Sequence, residues 1–228
     1  MERMEILNHI LVELSIEKAA AKLHAQRTGD LEQVQRVLDE SVPLFAPKAV
    51  YTVSYVDEKQ EDAVVIDGKH FQSKVLRKNL DEVNRVFPFV ITLGPALEGK
   101  ADTCDDLLEK YYFDVIGNLA LLEVRKQVQK EIADRYALGG ISAMTPGSLT
   151  DWPIEEQKPL FSLLKGVTEA IGVRLNESLL MLPRKSVSGI YFPTETNFYS
   201  CQLCPRERCE GRKAAYNREL AEEYGVLK

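Results

Sequence analysis

The sequence predicts a globular fold that combines a core β-sheet with helices, and three observations carry this. β-branched and aromatic residues gather into short runs between residues 49 and 94. Apolar residues recur at helical spacing both before and after that region. No internal repeat, low-complexity linker or composition shift divides the chain. A single domain over residues 1–228 is expected, with a cysteine-rich segment at 199–212.

Ser15 and Asp30 stand where helix N-caps belong. Good helix formers follow Ser15. After Asp30, Leu31, Val34, Val37, Leu38, Val42 and Leu44 mark one face, closed off by Pro43 and Pro47. Residues 49–56 and Ala63–Ile66 read as strands, the second ended by Asp67-Gly68. The most apolar run, 86–94, is a further strand in which Pro88 demands an edge position or a bulge. Residues 102–136 form a long helix, with a break expected near Glu109–Tyr111. Its apolar side carries Tyr112, Val115, Ile116, Leu119, Leu122 and Val124. Its basic stripe of Arg125, Lys126, Lys130 and Arg135 reads as a solvated face. Gly117 inside it costs about 1 kcal/mol relative to alanine, which points to close packing. A helix starts near Pro153, Pro159 forcing a kink or a late start. A strand at 187–192 and a short polar tail helix complete the chain. His24 and His70 read as surface or packing residues.

Composition narrows the function classes. Of 228 residues, 45% are hydrophobic and 28% charged, as in ordinary soluble proteins. The net charge of −6 argues against nucleic acid, which is bound through clustered Lys and Arg. No run approaches the roughly 20 apolar residues of a membrane helix. The stretch Met1–Glu5 lacks a signal-peptide layout, so the cytoplasm is the expected compartment. There, clustered cysteines are metal ligands or redox thiols more often than disulfides.

The chemistry concentrates between Ala143 and Cys209. Cys201-x2-Cys204, with Cys209 behind it, has chelating spacing for zinc or an iron–sulfur cluster. Cys104 could complete the set only if the fold brings its helix near; three reduced structural cysteines are the alternative. Asp151, Glu155, Glu156, Glu177, Ser178, Ser186 and Ser188 form a carboxylate and hydroxyl set without a histidine. No Ser-His-Asp or Cys-His pair suggests itself, and glycine-rich nucleotide fingerprints are absent. Trp152, the only tryptophan, either plugs the core or anchors a partner.

The segment from Pro146 to Tyr199, above all Glu177-Ser178, Met181-x-Pro183 and Ser186-Val187-Ser188-Gly189, resembles the activation domain of cobalamin-dependent methionine synthase. That resemblance implies an α+β domain with a twisted antiparallel sheet flanked by helices. It implies binding of S-adenosylmethionine beside a corrinoid carried by a partner protein or methyltransferase, in support of reductive reactivation. On it, Pro146 and Gly147 match the family's ligand-holding turn and Tyr199 a ligand-contacting tyrosine. Glu177, Ser178, Ser186, Ser188 and Gly189 match structural or pocket-lining positions. Two departures stand out: Ala143 or a near neighbour replaces the family's carboxylate-gripping arginine, and Ser148 replaces an aromatic. Loss of such a fork predicts S-adenosylmethionine binding weaker by about 10- to 150-fold, unless Arg174 or Arg184 substitutes. The cysteine triplet is foreign to that domain. Two functions therefore stand: an activation factor that passes electrons through a cysteine-bound cluster, or a scaffold module with a structural zinc knuckle.

Overall fold

The computed structural model describes residues 4–25, 27–209 and 211–226. After strand β1 (Glu5–Leu7), helix α1 (Ile16–Leu23) starts as expected, because the Ser15 hydroxyl accepts the Lys18 N–H at 3.3 Å. Helix α2 (Thr28–Ser41) begins two residues before Asp30, which lies in its first turn instead of capping it. Strands β2 (Lys48–Tyr51), β3 (Ser54–Lys59), β4 (Ala63–Ile66) and β5 (Lys69–Gln72) follow, and His70 lies exposed in β5. Next come α3 (Lys74–Asn79), β6 (Arg85–Thr92), α4 (Ala96–Asp102) and α5 (Leu107–Arg135). The expected break in the long helix falls earlier, before Leu107, where Asp106 restarts it by accepting the Leu108 N–H at 2.8 Å.

Strand β7 (Ile141–Met144) leads to α6 (Gln157–Leu163) and α7 (Val167–Ile171). Because α6 starts late, Pro159 falls in its first turn, where no N–H is required. The hairpin β8 (Arg174–Leu175) and β9 (Met181–Leu182), the long β10 (Ser186–Pro193) and α8 (Arg218–Glu223) end the chain. Among the described residues no helix is long and apolar enough to cross a membrane.

Eight strands form one sheet in which every pairing is antiparallel. β6 is its centre. β10 pairs along one edge of it, from Ser186↔Thr92 to Tyr191↔Phe87, and β2 and β3 share the other. The register carries straight through from Tyr51↔Phe89 to Ser54↔Val86, so β2 and β3 are one strand interrupted at Thr52–Val53. The gap lies opposite Pro88. Thr52 donates to the Pro88 carbonyl at 3.1 Å, and Pro88 has no N–H to return. β7 lies outside β10, pairing from Ile190↔Met144 to Pro193↔Ile141.

Alternation divides the sheet between two helical layers. Tyr51, Phe87, Phe89 and Ile91 pack on Ala120, Val124, Val128 and Ile132 of α5. Val50 and Val90 face the other way, onto Leu164, Val167, Ile171 and Val173. This is the α+β arrangement, an antiparallel sheet flanked by helices, that the resemblance implies. Gly117 packs closely too: a Cβ there would sit 2.7 Å from Leu97 Cδ2 and 3.0 Å from Lys185 Cε.

Trp152 is a core residue. It is fully buried among Val64, Phe71, Leu160, Ile190 and Phe192, edge-on to Phe71 at 6.4 Å. Its indole N–H meets no acceptor in hydrogen-bond geometry. The Glu156 carboxyl nevertheless feels it: burial raises that group's pKa, while the Gln72 amide and the indole draw it back down. The anchor role for Trp152 is therefore set aside, because a fully covered side chain offers no area to a partner.

Candidate ligand cleft

A large cleft, about 610 Å³, opens between α5 and the outer edge of β7. One wall is a helical stripe of Leu122, Arg125, Lys126, Gln129, Lys130 and Ala133, spaced three and four apart so that all share a face. The opposite wall is Ile141–Ala143 with Asn197–Tyr199, and Lys213 approaches from the C-terminal segment. Two hydrogen bonds hold the walls. Gln129 Nε2 donates to the Ile141 carbonyl at 2.9 Å, and the Phe198 N–H donates to Ser142 Oγ at 2.9 Å. Three members of the basic stripe read as solvated thus line a cleft. Arg135 turns away, bonding Tyr51 Oη at 3.0 Å and Glu5 at 3.1 Å.

Charge in the cleft is one-sided. Lys126 pairs with Glu123 at 2.9 Å and Lys130 with Asp134, both beside it on α5. Among the described residues no carboxylate lies within ion-pairing distance of Arg125 or Lys213. The Arg125 guanidinium lies over the Phe89 ring, 5.9 Å from its centroid. Burial, then repulsion by Arg125, lowers the Lys213 pKa; Cys201 opposes this and Lys126 adds to it. Below the cleft, Tyr191 Oη donates to the Arg125 carbonyl at 3.1 Å, fastening α5 to β10. Burial pushes that phenol up to about 12, so it stays a donor.

Of the residues nominated from sequence, Tyr199 lines this cleft, 42% exposed at its mouth. Pro146 is buried. Gly147 adopts the left-handed region (φ 82°), donates to the Trp152 carbonyl at 2.7 Å and lines a second cleft of about 460 Å³ with Leu203, Cys204 and Arg206. Ser148 of this second cleft lies with its hydroxyl 3.5 Å from that of Ser200, the residue after Tyr199. The other nominated residues sit elsewhere. Ser186 is buried, bonded to Thr92 Oγ1 at 2.9 Å and to the Pro183 carbonyl at 2.7 Å. Ser188 is buried and donates to Gln157 Oε1 at 2.9 Å. Gly189 lets β7 and Phe89 close on β10, since a Cβ would lie 2.3 Å from the Met144 carbonyl oxygen. Glu177 and Ser178 are exposed in the β8–β9 turn. Arg174 is exposed in β8, and Arg184 is held by Asp102 at 2.7 Å and Glu98 at 3.5 Å; neither lines the large cleft.

The cysteine segment is organised around a different cation from the one expected. Cys201 lies in a 3-10 turn (Ser200–Leu203), Cys204 follows it, and Cys209 is exposed. The Arg212 guanidinium bonds the carbonyls of Cys201 at 3.2 Å, Ala214 at 3.3 Å, Cys204 at 3.4 Å and Arg206. Among the described residues no three His, Cys, Asp or Glu side chains converge to hold a metal ion. Cys104 Sγ stays at the α4–α5 junction, 3.5 Å from the Asp106 carbonyl. The described thiols thus do not converge into a three-thiolate zinc or iron–sulfur centre, and the cation at the turn's carbonyl oxygens is Arg212.

Residues 125–215 match the family model of the activation domain of vitamin B12-dependent methionine synthase. That span contains every lining residue of the large cleft except Leu122. Among solved structures, the fold is similar to the MetH reactivation domain bound to AdoHcy. The TM-score is 0.60 at 15% identity, over 86% of this chain and 80% of that one. No curated protein sequence matches the chain. The chain is thus activation-domain-like, in the matched segment by sequence and over most of its length by fold.

Proposed function

We propose that this activation-domain-like protein supports the reductive reactivation of a corrinoid carried by a partner protein. One observation carries the reading. Ser148, beside the Pro146-Gly147 turn, and Ser200, beside Tyr199, lie with their hydroxyls 3.5 Å apart, so the positions that the resemblance marks as ligand-holding are neighbours at one edge. The matched segment encloses that edge, and the likeness to a domain bound to AdoHcy favours a ligand there.

The corrinoid supplies the cobalt chemistry; the chain's own residues position and admit. Gly147 supplies the left-handed backbone that shapes the turn, and Tyr199 offers an exposed ring at the mouth of the large cleft. S-adenosylmethionine binds weakly in this reading, because Ala143 presents no guanidinium fork to a carboxylate. Electron transfer through a cysteine-held cluster forms no part of it, since no three of the described His, Cys, Asp and Glu side chains converge.

The test is anaerobic. A purified cobalamin-binding protein, held in its one-electron-oxidised cobalt state, is mixed with reductant and S-adenosylmethionine, and its visible spectrum is followed. Addition of this protein should speed loss of the oxidised signal and give a complex on gel filtration. An unchanged rate with no complex at saturating protein rules the reading out.

A further inference from the structure

We infer that the large cleft binds a nucleoside phosphate, with the phosphates on its cationic wall and the base against Tyr199. Charge argues first. Arg125, Lys126, Lys130 and Lys213 line the cleft and no Asp or Glu does. Two of the four, Arg125 and Lys213, have no carboxylate partner among the described residues. Holding these two unpaired charges side by side, with Lys213 partly buried, is unfavourable unless an anion joins them. An arginine fork with neighbouring lysines suits phosphate oxygens, which accept several charge-assisted hydrogen bonds. The sulfonium of S-adenosylmethionine would add a cation to this wall.

Size and the remaining groups agree. At about 610 Å³ the cleft lies within the roughly 300–1,000 Å³ usual for small-molecule sites. The Gln129 amide is spent on the Ile141 carbonyl, which leaves the cations, with the Ser142 O–H and the Asn197 amide, as donors for a ligand. Tyr199 at the mouth offers a ring on which a base can stack. The Asn197 amide beside it has no hydrogen-bond partner among the described residues and can read a base edge.

Isothermal titration of the full chain with ADP, pyrophosphate, adenosine and S-adenosylmethionine tests this without any corrinoid, so its outcome is separate from the reactivation reading. ADP should bind tightest, with adenosine and S-adenosylmethionine each weaker by about 10-fold or more. The double variant R125Q/K213Q should lose about 10-fold or more in ADP affinity while keeping its circular dichroism and melting temperature. Y199A should weaken ADP but not pyrophosphate. S-adenosylmethionine binding as tightly as ADP, full ADP affinity in the double variant, or no ADP binding at all overturns the inference. Pyrophosphate matching ADP overturns the nucleoside part.

Discussion

Replacing Trp152 tests whether the indole is held for the core or for a partner. The side chain is fully buried. Covering an indole removes roughly 200 Å² from water, worth about 5 kcal/mol at about 25 cal/mol per Å². Truncation also deletes an N–H that lacks a well-aligned acceptor, which returns about 1–2 kcal/mol. Trp152→Ala should therefore destabilise by about 3–4 kcal/mol, within the range of about 3–5 for aromatic truncations. In a chain of this size that lowers Tm by about 6–16 °C. Trp152→Phe keeps most of the burial and sheds the unsatisfied donor, so it should cost less than about 1 kcal/mol. Far-UV circular dichroism melts of both variants decide the matter. If Trp152→Ala melts with the parent and loses partner binding, the side chain is an anchor and the core assignment fails. If Trp152→Phe is as harmful as Trp152→Ala, the N–H is a needed donor, with Glu156 its acceptor.

Gly189→Ala places a methyl carbon 2.3 Å from the Met144 carbonyl oxygen and 3.0 Å from the Phe89 ring, so β7 must move off β10. The expected cost is about 1–3 kcal/mol in urea denaturation, with poorer ligand binding because β7 is a cleft wall. Arg212→Met should make the segment around Cys201–Cys209 readily cleaved by protease, whereas chelator should leave the parent's melting curve unchanged. A chelator-induced fall in Tm would falsify the guanidinium brace and restore the thiolate centre. ADP affinity should fall as pH rises through the lowered pKa of Lys213, because the charged ammonium is the form that attracts phosphate. Titrations in buffers of different ionisation enthalpy should show proton uptake there, and K213Q should abolish it.

Much of the fold was legible locally. Ser15 capped its helix, the β-branched runs became β2, β3, β4 and β6, and the apolar spacing after Tyr112 became the buried side of α5. These are properties of residues within a few positions of one another, where backbone geometry and period determine which side a residue takes. The resemblance, too, was carried by short strings, and it brought Tyr199 to a cleft. The same strings could not say that Ser186 and Ser188 turn inward, since their partners Thr92 and Gln157 lie far along the chain.

The cleft itself was decided by tertiary structure alone. Periodicity put Arg125, Lys126 and Lys130 on one face of a helix, but period does not say what stands opposite that face. Here it is the edge of β7, held there by β10, with Tyr199 and Lys213 arriving from beyond it. Cysteine spacing likewise described a turn able to chelate, while the cation bonded to that turn's carbonyls is Arg212 from the returning chain. Sequence determined the strands, the helices and their polar and apolar sides. Only long-range strand pairing, which places distant side chains within hydrogen-bond reach, decided which polar side would enclose a ligand and which would face water.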